Sequence, residues 1–175
     1  ARLPESAAEL EALRRLAGSR PFRMLSGAVA TRASLLAAPE LQSATILHLA
    51  THGEADEYEQ RKAGLWLAVE EDGEPGLLSV DDVLELHLRA DLVTLSACQT
   101  GLGRVARGEG VLGLSRAFLA AGAGSVMVSL WRVNDRSTAT LMQEFYGQLL
   151  SRGKPAPVAL ATAKRTMLSS PDTRA

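Results

Sequence analysis

Two histidines and the single cysteine are the residues of this chain whose chemistry stands out. His48 and His52 lie four residues apart in "HLATHG", and Cys98 follows in "SACQTG". Imidazole and thiol groups can bind a metal ion, or they can act together as base and nucleophile in covalent catalysis. The third alternative is an ordinary place in the core, since cysteine is among the residues most often buried.

A metal site shared by the two histidines is disfavoured by their spacing. On a strand, residues four apart are separated by about 13 Å, which is too far for both to bind one ion. On a helix, the zinc-peptidase pattern needs glutamate directly after the first histidine, where this chain has Leu49. We therefore expect no metal and no other cofactor, and we interpret His48 as a hydrogen-bonded structural residue.

The apolar segments predict that His52 and Cys98 lie at one edge of a sheet. "SATILHLATHG", "ADLVTLSAC" and "SVMVSLW" are typical of buried strands, and helical patterns lie between them. Strands that alternate with helices form a mostly parallel sheet covered by helices on both faces, so the predicted fold class is α/β. Ligands bind beyond the carboxyl ends of such strands, which is where both residues would lie.

This placement favours catalysis over a core role for Cys98. A nearby imidazole such as that of His52 promotes the thiolate form, which is the nucleophilic one. The backbone N–H groups of Gly53 and of Cys98 itself are candidates for stabilising the negative oxygen that develops during acyl transfer.

Other segments complete the predicted fold. Capping residues and apolar periodicity predict one helix in "TRASLLAAPEL", capped by Thr31, and another in "SVDDVLELHL", starting at Ser79. The remaining predictions are a helix in "PESAAELEALRRLAG", a short strand in "PFRMLSG", a hairpin of "GLWLAV" and "GLLSV", and helices in "GVLGLSRAFLAAGAG", "STATLMQEFYGQLL" and "PVALATAKRTML".

Length and charge narrow the classes of function. A chain of 175 residues with a net charge of −1 fits one domain and has no basic stripe for nucleic acid or for an anionic membrane. No apolar run reaches the roughly 18 residues of a spanning helix.

One cysteine excludes an internal disulfide and is typical of a reducing compartment, so we predict a cytoplasmic protein. The start at Ala1, close to an amphipathic helix, indicates a piece of a longer protein.

Several motifs together resemble the CHAT domain, a branch of the caspase-like cysteine peptidases that includes relatives of separase. The resemblance covers nearly the whole chain and implies a caspase-like α/β fold, endopeptidase activity on protein substrates and a catalytic dyad of His52 and Cys98. "SACQTG" has one residue more before its glycine than the caspase signature, so specificity for aspartate is not implied. The motifs that carry the resemblance are, in order, "ILHLATHG", "LVTLSACQTG", "GEGVLGLSRAFLAAGA" and "SVMVSLWRVND", followed by "FYGQLL".

The same resemblance implies a pocket for the substrate residue before the cleaved bond. "SLWRVNDRS" is similar to the separase-like segment that supplies an acidic residue to this pocket, and the matching acid is Asp135, with Ser96 and Trp131 as walls. A shielded carboxylate favours arginine or lysine in the substrate. The alternative is that Asp135 caps the helix that follows it.

Two other functions remain open. "GEGVLG", residues 108–113, has the spacing of a dinucleotide loop, but it begins ten residues after Cys98 rather than directly after a strand. A catalytically silent or latent interaction domain is the other alternative. The resemblance also implies that residues 1–175 are a single domain without a usual C-terminal strand, and that helical repeats of the tetratricopeptide kind accompany it in the full-length protein as a sensor.

Overall fold

A computed structural model describes residues 4–54, 64–96, 109–129 and 133–169 of the chain, with the backbone alone at residues 4–5, 52–54, 109–112 and 135. The chain divides into two compact units, one of residues 1–24 and 133–175 and one of residues 25–132. The helices are α1 Pro4–Ala17, α2 Arg32–Leu36, α3 Val80–Leu84, α4 Glu109–Ala120, α5 Asp135–Tyr146 and α6 Ala156–Ser169. The strands are β1 Ile46–Leu49, β2 His52–Glu54, β3 Gly64–Trp66, β4 Leu77–Ser79, β5 Leu92–Leu95 and β6 Val126–Val128.

A parallel sheet forms the centre of the unit of residues 25–132. Its strand order is β1-β5-β6, and both pairings are parallel. The central strand β5 is buried at all four residues, because it has a neighbour on each side and is covered on both faces. This sheet, with helices in the connections between its strands, confirms the predicted α/β class.

A second, antiparallel sheet belongs to the same unit. Its order is β2-β3-β4, so the hairpin predicted from "GLWLAV" and "GLLSV" is confirmed as β3 and β4. Leu65 and Leu78, opposite each other in this hairpin, are completely buried and share one hydrophobic cluster with Leu95, Leu114 and Phe118. The two sheets of this unit therefore contribute to a common core.

An ion pair joins α2 to α3 within this unit. Arg32 donates from Nε to Oδ2 of Asp82 at 3.0 Å, and its Nη2 contacts Oδ1 of the same carboxylate. Asp82 also completes a capping box with Ser79, as its Oδ2 accepts from the Ser79 N–H at 2.9 Å while its own N–H donates to Ser79 Oγ. Thr31 caps α2 by accepting from the N–H of Ser34, so both predicted helix starts are confirmed. Both helices are shorter than predicted, since α2 ends at Leu36 and α3 at Leu84.

The other unit has helices and no strand among its described residues. It contains α1, α5 and α6, and α5 continues directly into a π-helix at Gly147–Ser151. Phe145 and Tyr146 are buried edge to face with ring centroids 4.9 Å apart. Arg20, just after α1, donates to the carbonyl of Leu150 at 2.9 Å and thereby ties the end of α1 to the π-helix.

The strand predicted in "PFRMLSG" is wrong. Residues 21–26 have no regular secondary structure. Pro21 has no N–H to donate to a sheet, and Phe22 and Met24 are 42% and 39% exposed, so Leu25 alone in this segment packs against the core. Of the helices within the described ranges, none combines the length and the hydropathy that crossing a membrane requires.

The Arg32–Asp82 pair predicts a loss of stability in acid. Arg32, by donating to the carboxylate, lowers the pKa of Asp82 from 3.8 to about 2. The stabilisation is therefore complete above about pH 4 and is lost as the pH falls through 2. Because Arg32 is 40% exposed, solvent reduces the effect, and we expect Asp82→Asn to lower the free energy of unfolding at pH 7 by about 1 kcal/mol.

Urea denaturation of the wild type and of Asp82→Asn between pH 7 and pH 2 measures this effect. The difference between the two proteins should shrink as the pH falls below 4. Asp81→Asn, which changes an exposed neighbour in the same helical turn, is the control for loss of one acidic residue. A difference that stays constant down to pH 2 would contradict the assignment.

Candidate active site

The carboxyl ends of β1 and β5 lie side by side. Leu49 and Leu95, the last residues of the two strands, are register partners. The pairing continues one residue further, since the N–H of Ser96 donates to the carbonyl of Leu49 at 2.9 Å. Residues that follow the two strands therefore leave the sheet from neighbouring positions.

His52 follows Leu49 by three residues, and it lies in a different sheet. The apolar pattern predicts "HLATHG" as the end of one strand, but β1 stops at Leu49 and His52 is the first residue of β2. In β2, His52 is opposite Trp66 and Gly53 is opposite Leu65. Residues 52–54 form a separate strand because they pair with β3. A segment as short as "HGE" has no strand pattern of its own.

Cys98 follows Leu95 by three residues and lies outside the described residues, as does Trp131. The predicted dyad of His52 and Cys98 and the oxyanion role of the Gly53 and Cys98 amides therefore stay predictions. The structure shows that the segments leading to His52 and Cys98 begin side by side, because β1 and β5 end at the paired residues Leu49 and Leu95.

His48 belongs to β1 and so to the parallel sheet. It is half-buried and lies opposite Thr94, which is completely buried on β5. The two histidines are thus divided between two sheets, which agrees with the separate roles inferred from their spacing. Within the described part of the chain, no group of three histidine, cysteine or acidic residues could hold a metal ion.

The residues predicted to bind substrate fall in both units. Ser96 is 4% exposed and directly follows β5. Asp135 is the first residue of α5, in the helical unit. The N-cap of α5 is Asn134, whose Oδ1 accepts from the N–H of Ser137 at 3.2 Å, so Asp135 is not the capping residue. Its position in the first helical turn is favourable for an acidic residue because of the helix dipole.

The dinucleotide alternative gains little from the structure. β5 ends at Leu95, thirteen residues before Gly108, whereas a dinucleotide loop follows its strand directly. Gly113 lies inside α4, and a methyl group there would meet no heavy atom within 4 Å.

Thr51 makes a hydrogen bond that the sequence does not predict. Its hydroxyl donates to the carbonyl of Trp66, the residue opposite His52 in β3. The only signal in the sequence is a hydroxyl residue directly before the histidine, and nothing in the pattern names its acceptor.

Comparison with known proteins gave one family and two curated relatives. The family model described as CHAT domain matches residues 1–175, the whole chain. Tetratricopeptide repeat protein 28 of Mus musculus is 42% identical to this chain over 94 residues, and its Homo sapiens counterpart is 43% identical over 94 residues. In both cases the match covers 54% of this chain and 4% of the relative, so it concerns a small part of those proteins.

A substitution at Gly64 tests how closely the strands around His52 are packed. Gly64 lies in β3 between Glu54 and Ser79, and a methyl group there would come within 2.6 Å of the Leu78 carbonyl and 2.7 Å of a Leu77 methyl. We expect Gly64→Ala to lower the free energy of unfolding by about 1–3 kcal/mol through overpacking.

Gly113→Ala is the matched control, because the added methyl group meets no atom. It should be neutral or stabilising by up to about 1 kcal/mol, since alanine is the better helix former. Chemical denaturation of both variants measures the difference. Equal stabilities would show that β3 can move away from β4 without cost.

Proposed function

This chain belongs to the CHAT domain family, a caspase-like peptidase family, and we propose that it is a cysteine endopeptidase that uses His52 and Cys98. The observation that carries the proposal is the register of the parallel sheet. Leu49 and Leu95 are paired at the ends of β1 and β5, and each of the two reactive residues follows its strand by three positions. A histidine and a cysteine that follow neighbouring strand ends are suited to act together on one peptide bond.

In the proposed reaction, the Cys98 thiolate attacks the carbonyl carbon of the scissile peptide bond and forms a carbon–sulfur bond. The imidazolium of His52 gives a proton to the amide nitrogen as the carbon–nitrogen bond breaks, and the amine product leaves. Water, which loses a proton to His52, then displaces the thiolate from the acyl-enzyme and releases the carboxylic acid.

The N–H groups of Gly53 and Cys98 are the proposed donors to the oxyanion. Gly53 lies in β2, which has β3 as its single neighbour in the described sheet. Alternate N–H groups of such an edge strand are not used by the sheet, and they can donate to another acceptor. The strand that carries His52 therefore has backbone donors of the kind that acyl transfer requires.

For the substrate, we propose cleavage after arginine or lysine, with Asp135 as the counter-ion and with Ser96 and Trp131 as walls of the pocket. A carboxylate shielded from water binds guanidinium strongly through paired, charge-assisted hydrogen bonds. With Asn134 as the helix cap, Asp135 is not needed to cap α5.

The context of the domain is also part of the proposal. Both relatives are named for tetratricopeptide repeats, so we infer that the full-length protein carries a helical-repeat region of this kind. A single cysteine, which cannot form an internal disulfide, is typical of a reducing compartment, and on this basis we propose that the protein is cytoplasmic.

A regulatory or interaction domain without catalysis is the second candidate. The observation in its favour is that the printed names of both relatives refer to repeats and not to an activity. The two candidates differ in the state of the thiol. An activated Cys98 should react rapidly with iodoacetamide near neutral pH, whereas a silent core cysteine should be protected while the protein is folded.

Loss of either dyad residue should abolish cleavage. We expect Cys98→Ala and His52→Ala to lower the rate of peptide cleavage by at least about a thousandfold, because removing one member of a catalytic pair removes its joint contribution. Incubation with a diverse peptide library, followed by mass spectrometry of the products, measures this. His87→Ala, which removes an exposed histidine, should leave the cleavage unchanged. Equal cleavage by the wild type and Cys98→Ala would contradict the proposal.

The charge of Asp135 should decide the preference for basic residues. We expect Asp135→Asn to lower kcat/KM for peptides with arginine before the cleaved bond by about 10–100-fold, since a charge-assisted pair is lost. Matched peptides with citrulline, which has the shape of arginine without its charge, should be cleaved by the variant and the wild type at similar rates. An unchanged ratio of arginine to citrulline cleavage would exclude Asp135 from the pocket.

A further inference from the structure

The passage from β1 to β2 determines where the backbone of His52 lies. β1 ends at Leu49 and β2 begins at His52, so only Ala50 and Thr51 separate the parallel sheet from the antiparallel one. A connection of two residues has little conformational freedom. The position of His52 therefore depends on how firmly this short connection is attached to each sheet.

Thr51 supplies the attachment to the second sheet. Its hydroxyl donates to the carbonyl of Trp66, and Trp66 is the register partner of His52. The bond thus joins the residue before His52 to the residue opposite it. The side chain of Thr51 is half-buried, which reduces competition from water for the same acceptor.

Strand β2 is weak at this end without such a bond. It has three residues, all three pair with β3, and His52 is the terminal pair. A single backbone hydrogen bond contributes about 1 kcal/mol net, and terminal pairs of short strands open most readily. A side chain that bonds across the first pair therefore limits fraying at His52 itself.

The acceptor belongs to a firmly held strand. β3 is the middle strand of its sheet, and its central residue Leu65 is completely buried. Just beyond the strand, the N–H of Leu67 donates to the carbonyl of Gly76 at 2.8 Å. The carbonyl of Trp66 therefore belongs to a well-held strand, and the Thr51 hydroxyl joins the first residues of β2 to it.

We propose that Thr51 is a positioning residue, which holds the backbone of His52 in place for its reaction with Cys98. This inference rests on the proposed peptidase function and adds a specific determinant of its rate. Thr51 acts through His52 and touches no reacting atom. Its effect should therefore appear in the rate of the chemical step, because small displacements of a catalytic group are costly, and not in the binding of peptide.

The test compares Thr51→Val, which keeps the branched shape and removes the donor, with Thr51→Ser, which keeps the donor. With an arginine peptide that the wild type cleaves, Thr51→Val should lower kcat about tenfold or more and change KM less than about twofold. Thr51→Ser should retain most of the wild-type kcat. Thr140→Val is the control, since it removes a hydroxyl that donates to the Arg136 carbonyl at 3.0 Å on α5.

Amide hydrogen exchange reports on the strand without requiring catalysis. Thr51→Val should speed exchange in residues 52–54, and Thr51→Ser and Thr140→Val should not. Unchanged kcat in Thr51→Val would overturn the inference, even if exchange is faster, because Thr51 would then stabilise the strand without affecting the reaction. A fall in kcat that Thr51→Ser shares would overturn it too.

Alkylation of Cys98 separates this inference from the proposed function. Iodoacetamide reports on one thiol, because the chain has one cysteine. If the wild type cleaves no peptide, the peptidase proposal fails. The rate of alkylation then shows whether Thr51 influences the pair of His52 and Cys98. A slower reaction in Thr51→Val than in Thr51→Ser, measured across pH 5–9, supports the positioning role, whereas equal rates overturn it.

Discussion

Parallel hydrogen bonding between β1 and β5 is the interaction on which the rest of the sheet-containing unit depends. Because β5 is buried at every residue, a shift of one position would exchange the faces of its side chains and disrupt the core on both sides. The register of Leu49 with Leu95 is therefore firmly determined. Every residue that follows these strands starts from this fixed pair, and the arrangement of any chemistry beyond the strand ends is set by core packing.

A second constraint comes from the change of sheet directly after β1. The chain changes from parallel pairing with β5 to antiparallel pairing with β3 within two residues. The parallel sheet and the antiparallel sheet therefore cannot move independently at this point. The antiparallel sheet is held in turn by the burial of Leu65 and Leu78. It is also held by Ser79, which ends β4 and caps α3. The bond between Asp82 and Arg32 extends the same connection to α2.

The features that the sequence predicted correctly are those whose cause is local. Long apolar runs predicted β1, β5 and β6, and hydroxyl caps predicted the starts of α2 and α3, because burial and capping are written in neighbouring residues. β2 was missed as a separate strand, since "HGE" becomes a strand through its partner β3.

Other features depend on choices that the sequence leaves open. Asn134 and Asp135 are both good capping residues, and only the structure shows that Asn134 forms the bond. The π-helix of Gly147–Ser151 was also missed, as its sequence suits an ordinary helix and the extra residue per turn has no local signature. For the candidate site, residue types and order predicted the dyad, while the partner of the Thr51 hydroxyl required the fold.

The two-residue passage between the sheets also restricts how the length of this sequence can change. An added residue between Leu49 and His52 would have to be absorbed by strand ends that are paired on both sides of it. The ten residues between β3 and β4 are different, since they include a turn in which the backbone N–H of Glu70 donates to the carbonyl of Glu74 and Gly73 has a φ of 88°. Insertions and deletions among descendants of this gene should accumulate in that exposed turn, and the spacing of the "HLATHG" segment should be inherited intact.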